Sequence, residues 1–177
     1  MTVPVLGRRL HRLVLAVGLV LVACSAPPYD EQTDRLISAL QSDVDSQIVM
    51  LLSLDRRIAE LSGANNDLAR KSLAEARARA GYDANAAFYD KLDSQLTSLR
   101  LRVDALPTEA TPNLDRAIDE LRANLLTGEG SLRSVHQKQG ILGEAYLRNE
   151  RRLLNAQFQA LLSYELVLKA GSGLGKK

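Results

Sequence analysis

From Ile37 to Leu61 the apolar side chains recur in steps of three and four residues: Ile37, Leu40, Val44, Leu51, Leu54, Ile58 and Leu61, with Gln47 the one polar residue in register. A strand repeats every two residues and a helix every 3.6, so this spacing restricts the segment to a helix with one buried face. A stripe sustained this long implies packing against other long helices. The same spacing returns at Phe88, Leu92, Leu96, Leu99, Val103 and Leu106, and again at Leu114, Ile118, Leu121, Leu125, Gly128, Leu132 and Val135. Leu147, Leu154, Phe158, Leu161 and Leu168 share a face in the last segment. No alternating strand pattern of useful length is present. The chain has no Trp and two Phe, so its core is built from Leu, Ala, Val and Ile.

Stop and start signals divide the chain. The first helix is predicted over 30–61, with Asp30, Glu31 and Asp34 favoured by the helix dipole at its start and Ser62-Gly63 as its stop. Residues 65–80 are rich in Ala and Arg but carry a weak stripe. A single helix over 67–106 would overshoot the first by several turns at about 1.5 Å per residue, so a break is expected near Gly81. The second core helix is then predicted over 83–106, ended by Pro107. Thr111-Pro112 reads as an N-cap and first helical residue. The third stripe stays in phase through Gly128 and Gly130, which predicts a weakened but continuous helix to Lys138. Gln139-Gly140 is the next turn, and the last helix is predicted over 141–170. The segment from Phe158 to Leu168 reads as buried on more than one side. Residues 171–177 read as a flexible tail.

Long helices with short connections become antiparallel neighbours. The expected fold is therefore all-α: an antiparallel up-down four-helix bundle over residues 30–170, with 65–80 as an elaborated connection. The alternative is a long hairpin completed by another chain. Gln47 on the first stripe reads as a register-setting polar group.

The N-terminus carries a different message. Arg8, Arg9 and Arg12 precede an uncharged apolar run from Leu13 to Ala23, and Cys24, the only cysteine, follows. That order is a secretory signal. The run is too short to cross a bilayer, which takes about twenty apolar residues. Ala23-Cys24-Ser25-Ala26 is a poor site for ordinary cleavage. Leu21-Val22-Ala23-Cys24 resembles the lipobox of bacterial lipoproteins. The resemblance implies cleavage after residue 23, a diacylglycerol thioether on Cys24 and a third, amide-linked chain. Each buried methylene contributes about 0.8 kcal/mol, and two or more chains hold a protein stably on a membrane without a spanning helix. Ser25 after the cysteine implies, by the same resemblance, export to the periplasmic face of the outer membrane. Residues 24–29, with Pro27 and Pro28, form a short tether.

Removing the signal removes three arginines and no acid. The 23 Lys+Arg and 21 Asp+Glu of the precursor become 20 against 21. The basic balance is thus an export feature, and no nucleic-acid partner is implied. With its one cysteine at position 24, the chain has no internal disulfide.

The domain shows little readable chemistry. A di-iron bundle needs two Glu-x-x-His pairs, whereas His136 is the one histidine after the signal and lacks such a Glu. Haem would have to use Met50 and His136, and the Cys-x-x-Cys-His of covalent attachment is missing. His136 falls at a predicted helix end among polar neighbours, so the serines lack a visible base. Gly171 to Lys177 does not have the spacing of a phosphate loop. No metal, cofactor or enzymatic activity is expected. Arg148, Arg151 and Arg152 cluster on the last helix, and read as a solvated face balanced by Glu144 and Glu150. Lys176-Lys177 is similar to the peptidoglycan-linked end of a small envelope lipoprotein.

Tyr29-Asp30, Asn85-Ala86-Ala87-Phe88-Tyr89-Asp90, Leu99-Arg100-Leu101-Arg102 and Leu154-Asn155-Ala156-Gln157-Phe158 resemble a group of proteobacterial helical lipoproteins with no established activity. The expected function is a membrane-anchored, non-catalytic helical scaffold or partner-binding module with a protein partner in the envelope. The alternatives are a haem-binding bundle and a component of a trans-envelope or peptidoglycan-linked assembly.

Overall fold

The computed structural model describes residues 30–106 and 112–173. Cys24, its tether, Pro107, Thr111 and Lys176-Lys177 lie outside the described residues. Among the described residues the fold is all-helical: α1 Glu31–Leu61, α2 Asp67–Ala80, α3 Tyr82–Asp104, α4 Pro112–Arg122, a π segment Ala123–Thr127, α5 Leu132–Gln139 and α6 Glu144–Gly173.

α1 packs chiefly against α6 and α2, then α3. Its buried row is Ile37, Leu40, Val44, Ile48, Leu51, Leu52 and Leu54. Ile48 takes the place in the core that the stripe offered to Gln47. Asp30 caps α1: its carboxylate accepts from the Gln32 amide at 3.2 Å and the Thr33 hydroxyl at 2.7 Å. Arg102 of α3 adds two hydrogen bonds to Asp30, at 3.1 and 2.8 Å. Burial pushes the Asp30 carboxyl up, but these hydrogen bonds outweigh it and its pKa falls below the ordinary value.

Polar pairs give the helix directions. Asp30 meets Arg102, Asp43 meets Lys91 at 2.7 Å, and Gln47 meets Asn85 at 2.6 Å, so α3 runs opposite to α1. Asp45 meets Arg151, and Asp55 accepts the backbone N–H of Glu144 at 2.9 Å, so α6 also runs opposite to α1. Arg100 meets Asp119 at 2.8 Å and Arg133 meets Asp90 at 3.2 Å, which sets α4 and α5 against α3.

The expected break at Gly81 is present. α2 and α3 lie along successive parts of α1, and the Gly81 backbone is extended. α2 buries only Ala69, Ala76 and Ala80, which matches its weak stripe, and Leu68 is 75% exposed. In α3 the buried face is Asn85, Tyr89, Leu92, Leu96, Leu99 and Val103. Tyr89, not Phe88, is the fully buried aromatic.

The continuous third helix expected to Lys138 is replaced by three pieces. The Gly128 amide bonds to the Ala123 carbonyl at 2.8 Å, five residues back. The added residue of this wide turn places both Leu125 and Leu126 in the core. Gly128 then turns extended, and Ser131 starts α5 by accepting the Ser134 amide at 3.2 Å. The cap-forming serine behind two glycines outweighs the phase of the stripe. After the break Leu132 and His136 are the buried pair of α5, with Val135 only partly covered.

The turn at Gly140 is as expected. Gly140 has φ +76, the left-handed region where glycine carries no Cβ penalty, and its amide bonds to the His136 carbonyl at 2.8 Å. α6 starts at Glu144 rather than Ile141, because its cap is Asp55, supplied by a different helix. Its other end runs through Gly173, three residues into the expected tail. Extending an existing helix needs no new nucleus. The predicted burial of Phe158–Leu168 on more than one side is not found. Phe158 and Leu161 are buried, whereas Leu166 is 64% exposed. α6 packs chiefly on α1 and α4, which cover one side of it. The side chain of Leu168 lies outside the described part.

Candidate functional site

The residues singled out in the sequence do not converge. Met50 is partly buried beside α2, in a concavity shared with Ser53, Arg57, Ser72, Glu75 and Arg79. His136 lies instead where the end of α2, α3 and α5 meet.

His136 is a correction to the sequence reading. It is fully buried, not a polar helix end, because the break at Gly128 rotates α5 and turns this ring inward. Its Nε2 lies 2.9 Å from the Ala80 carbonyl, which can only accept, so Nε2 carries the proton. Nδ1 is then the acceptor for the Tyr89 hydroxyl at 2.8 Å. Tyr82 stacks on Tyr89 with ring centres 5.8 Å apart and meets the His136 ring edge-on at 5.7 Å. Arg133 donates to the Tyr82 hydroxyl at 3.3 Å and to Asp90.

Desolvation favours neutral imidazole and lowers the pKa of His136. Burial also raises that of Tyr89, with Tyr146 and Tyr82 adding to it. Both groups are therefore neutral near pH 7. Neither nitrogen of His136 has a lone pair free for haem iron, and no serine hydroxyl is paired with it. Among the described residues no group of three or more His, Cys, Asp or Glu is placed to hold a metal ion. What this cluster does chemically is close the junction of three elements with every polar atom matched.

A second polar group fastens the same junction. The Asn85 side chain donates to the Arg79 and Gly81 carbonyls at 3.0 and 2.7 Å and accepts from Gln47 at 2.6 Å. Gln47 thus pins α1 to the kink between α2 and α3, and it sits at the edge of the core rather than within it.

The neutrality of His136 has a measurable sign. The unfolded chain takes up a proton near the ordinary imidazole value of 6.5, whereas the folded chain resists it to lower pH. Stability is therefore present above pH 6.5 and declines as pH falls toward the folded pKa. Glu150, buried on α6 with its pKa raised by desolvation, works in the opposite sense at lower pH. Melting temperatures of wild type and His136→Gln measured from pH 7.5 to 5.5 separate the two. The variant should be less stable at pH 7.5 but show the flatter profile. Parallel profiles would mean that the buried ring is not neutral.

The three arginines of α6 are dispersed among partners. Arg148 donates to Glu144 at 2.6 Å, Arg151 pairs with Asp45 through two nitrogens, and Arg152 reaches the Asn149 side chain at 3.5 Å. Glu144 balances the patch as expected. Glu150 does not, because it faces inward. Sequence reasoning missed Arg56 of α1, which approaches Glu144 at 3.6 Å; it stands 88 positions away in the chain, beyond any local pattern.

No protein-family model matches the chain, and neither a curated protein nor a solved structure gives a match to it.

Proposed function

We propose that the mature chain is a cell-envelope lipoprotein, held on a membrane by lipid on Cys24, whose helical domain is a non-catalytic scaffold or partner-binding module. The observation that carries this reading is the order of Arg8, Arg9 and Arg12, the apolar run Leu13 to Ala23, and the chain's only cysteine. Six residues of tether, 24–29, then lead to the cap of α1. Among the described residues no helix is long and apolar enough to cross a membrane, which leaves anchoring to the N-terminal segment. The opposed directions of α1 with α3, α3 with α4, and α1 with α6 favour an up-down arrangement of four helical layers, α2 and α5 being side pieces of the second and third. The sealed surroundings of His136 support a role without catalysis. Ser25 favours the periplasmic face of the outer membrane, with a protein partner there.

Cys24→Ser tests the anchor. The wild-type protein should fractionate with membranes, and intact-mass analysis should find residues 1–23 removed and acyl chains on Cys24. The variant, once processed, should move to the soluble fraction. A native protein with a bare Cys24 thiol, or a processed variant still on the membrane, would refute the reading.

A further inference from the structure

Between α1 and α6 lies an open groove of about 460 Å³ lined by Leu52, Arg56, Arg148, Arg151 and Arg152. Four guanidinium groups thus surround one apolar floor. Two carboxylates pair with them. Asp45 accepts from two nitrogens of Arg151, Nε at 2.6 Å and Nη2 at 2.9 Å. Glu144 is shared between Arg148 and Arg56, the latter at 3.6 Å. Among the described residues Arg152 is paired with no carboxylate and reaches the Asn149 amide oxygen at 3.5 Å. Asp55 accepts the Glu144 backbone amide and adds a third negative charge beside the groove, whereas Glu150 is buried on α6. Four guanidinium groups face the three carboxylates Asp45, Glu144 and Asp55, which leaves one positive charge in excess, and the forks of Arg56 and Arg152 are only partly filled, by a 3.6 Å approach to Glu144 and a 3.5 Å bond to Asn149.

Each feature fits one ligand chemistry. A phosphate monoester carries about −1.5 to −2 charge at pH 7 and three acceptor oxygens. Arginine forks match phosphate oxygens in pairs. We propose that this groove is a binding site for a phosphate monoester, with Arg56 and Arg152 supplying the open donors and Arg148 and Arg151 the flanking charge. The site stands independently of how the chain is anchored. At about 1.5 Å per residue it lies roughly 35 Å along α1 from Asp30, toward the end of the domain remote from the N-terminal tether. The phosphate belongs either to a soluble ester or to a lipid headgroup.

Calorimetric titration of the full chain in a neutral detergent tests the proposal. One arm uses glycerol 1-phosphate, and the other uses mixed micelles containing phosphatidic acid, with phosphatidylcholine micelles as the blank. Binding in either arm should weaken at least tenfold in Arg56→Gln/Arg152→Gln and stay unchanged in Arg70→Gln, whose exposed arginine pairs with Asp67 on α2. Arg152→Lys, which keeps the charge but not the fork, should fall between. Response to glycerol phosphate identifies a soluble ester as sufficient, and response to phosphatidic acid alone identifies a headgroup. Far-UV circular dichroism verifies that each variant is folded. No binding in either arm, or equal binding by wild type and the folded double variant, overturns the proposal.

Discussion

Phe158→Ala should lower the unfolding free energy by about 3–5 kcal/mol, the usual cost of removing a buried aromatic ring and leaving a cavity. Phe158 is fully buried on the face of α6 that meets the core, between Leu154 and Leu161. For a domain of this size about 1 kcal/mol moves the melting temperature by roughly 2–4 °C, which puts the expected drop at about 6–20 °C. Leu153→Ala, on the outer side of the same helix where the side chain is 43% exposed, should change stability by less than about 1 kcal/mol. Denaturant melts of the two variants give the comparison. Similar costs at both positions would mean that α6 is rotated from the orientation described.

Gly128→Ala should destabilise by about 1–3 kcal/mol, the range for forcing an added atom into filled space. A Cβ at Gly128 would stand 2.7 Å from the Ala123 carbonyl oxygen, the group that accepts the Gly128 amide in the wide π turn. Relief requires moving backbone, not a flexible side chain. The sign of the effect is informative. In an uninterrupted helix, alanine at this position would instead stabilise by about 1 kcal/mol. Gly130→Ala, where nothing lies within 4 Å and φ is not in the left-handed region, should be neutral or slightly stabilising. Urea titrations of both variants distinguish the cases, and a gain at Gly128 would restore the single long helix.

The rows of Leu92, Leu96, Leu99 and Val103, of Leu114, Ile118 and Leu121, and of Leu154, Phe158 and Leu161 were legible in the sequence, because apolar spacing records which side of a helix is covered. Helix ends were legible where the signal is local, as at Ser62-Gly63 and Gly140. They were not legible where the cap is borrowed across the fold, as Asp55 caps α6. The break after the π segment had a local signature, Ser131 behind Gly128 and Gly130, that the regular stripe concealed. With the third helix continuous to Lys138, His136 stands at its end among polar neighbours, and its buried pairing with Tyr89 has no sequence signal. Arg151 and its neighbours were visible as a cluster, but Asp45 and Arg56 join them only through the pairing of the first and last helices.

That pairing governs how the protein comes into being. Among the described residues the first helix has its largest contact with the last, so a growing chain cannot complete this core until α6 has been made. Any product cut short before residue 144 is left with a bare apolar flank on the first of these helices for proteases to find.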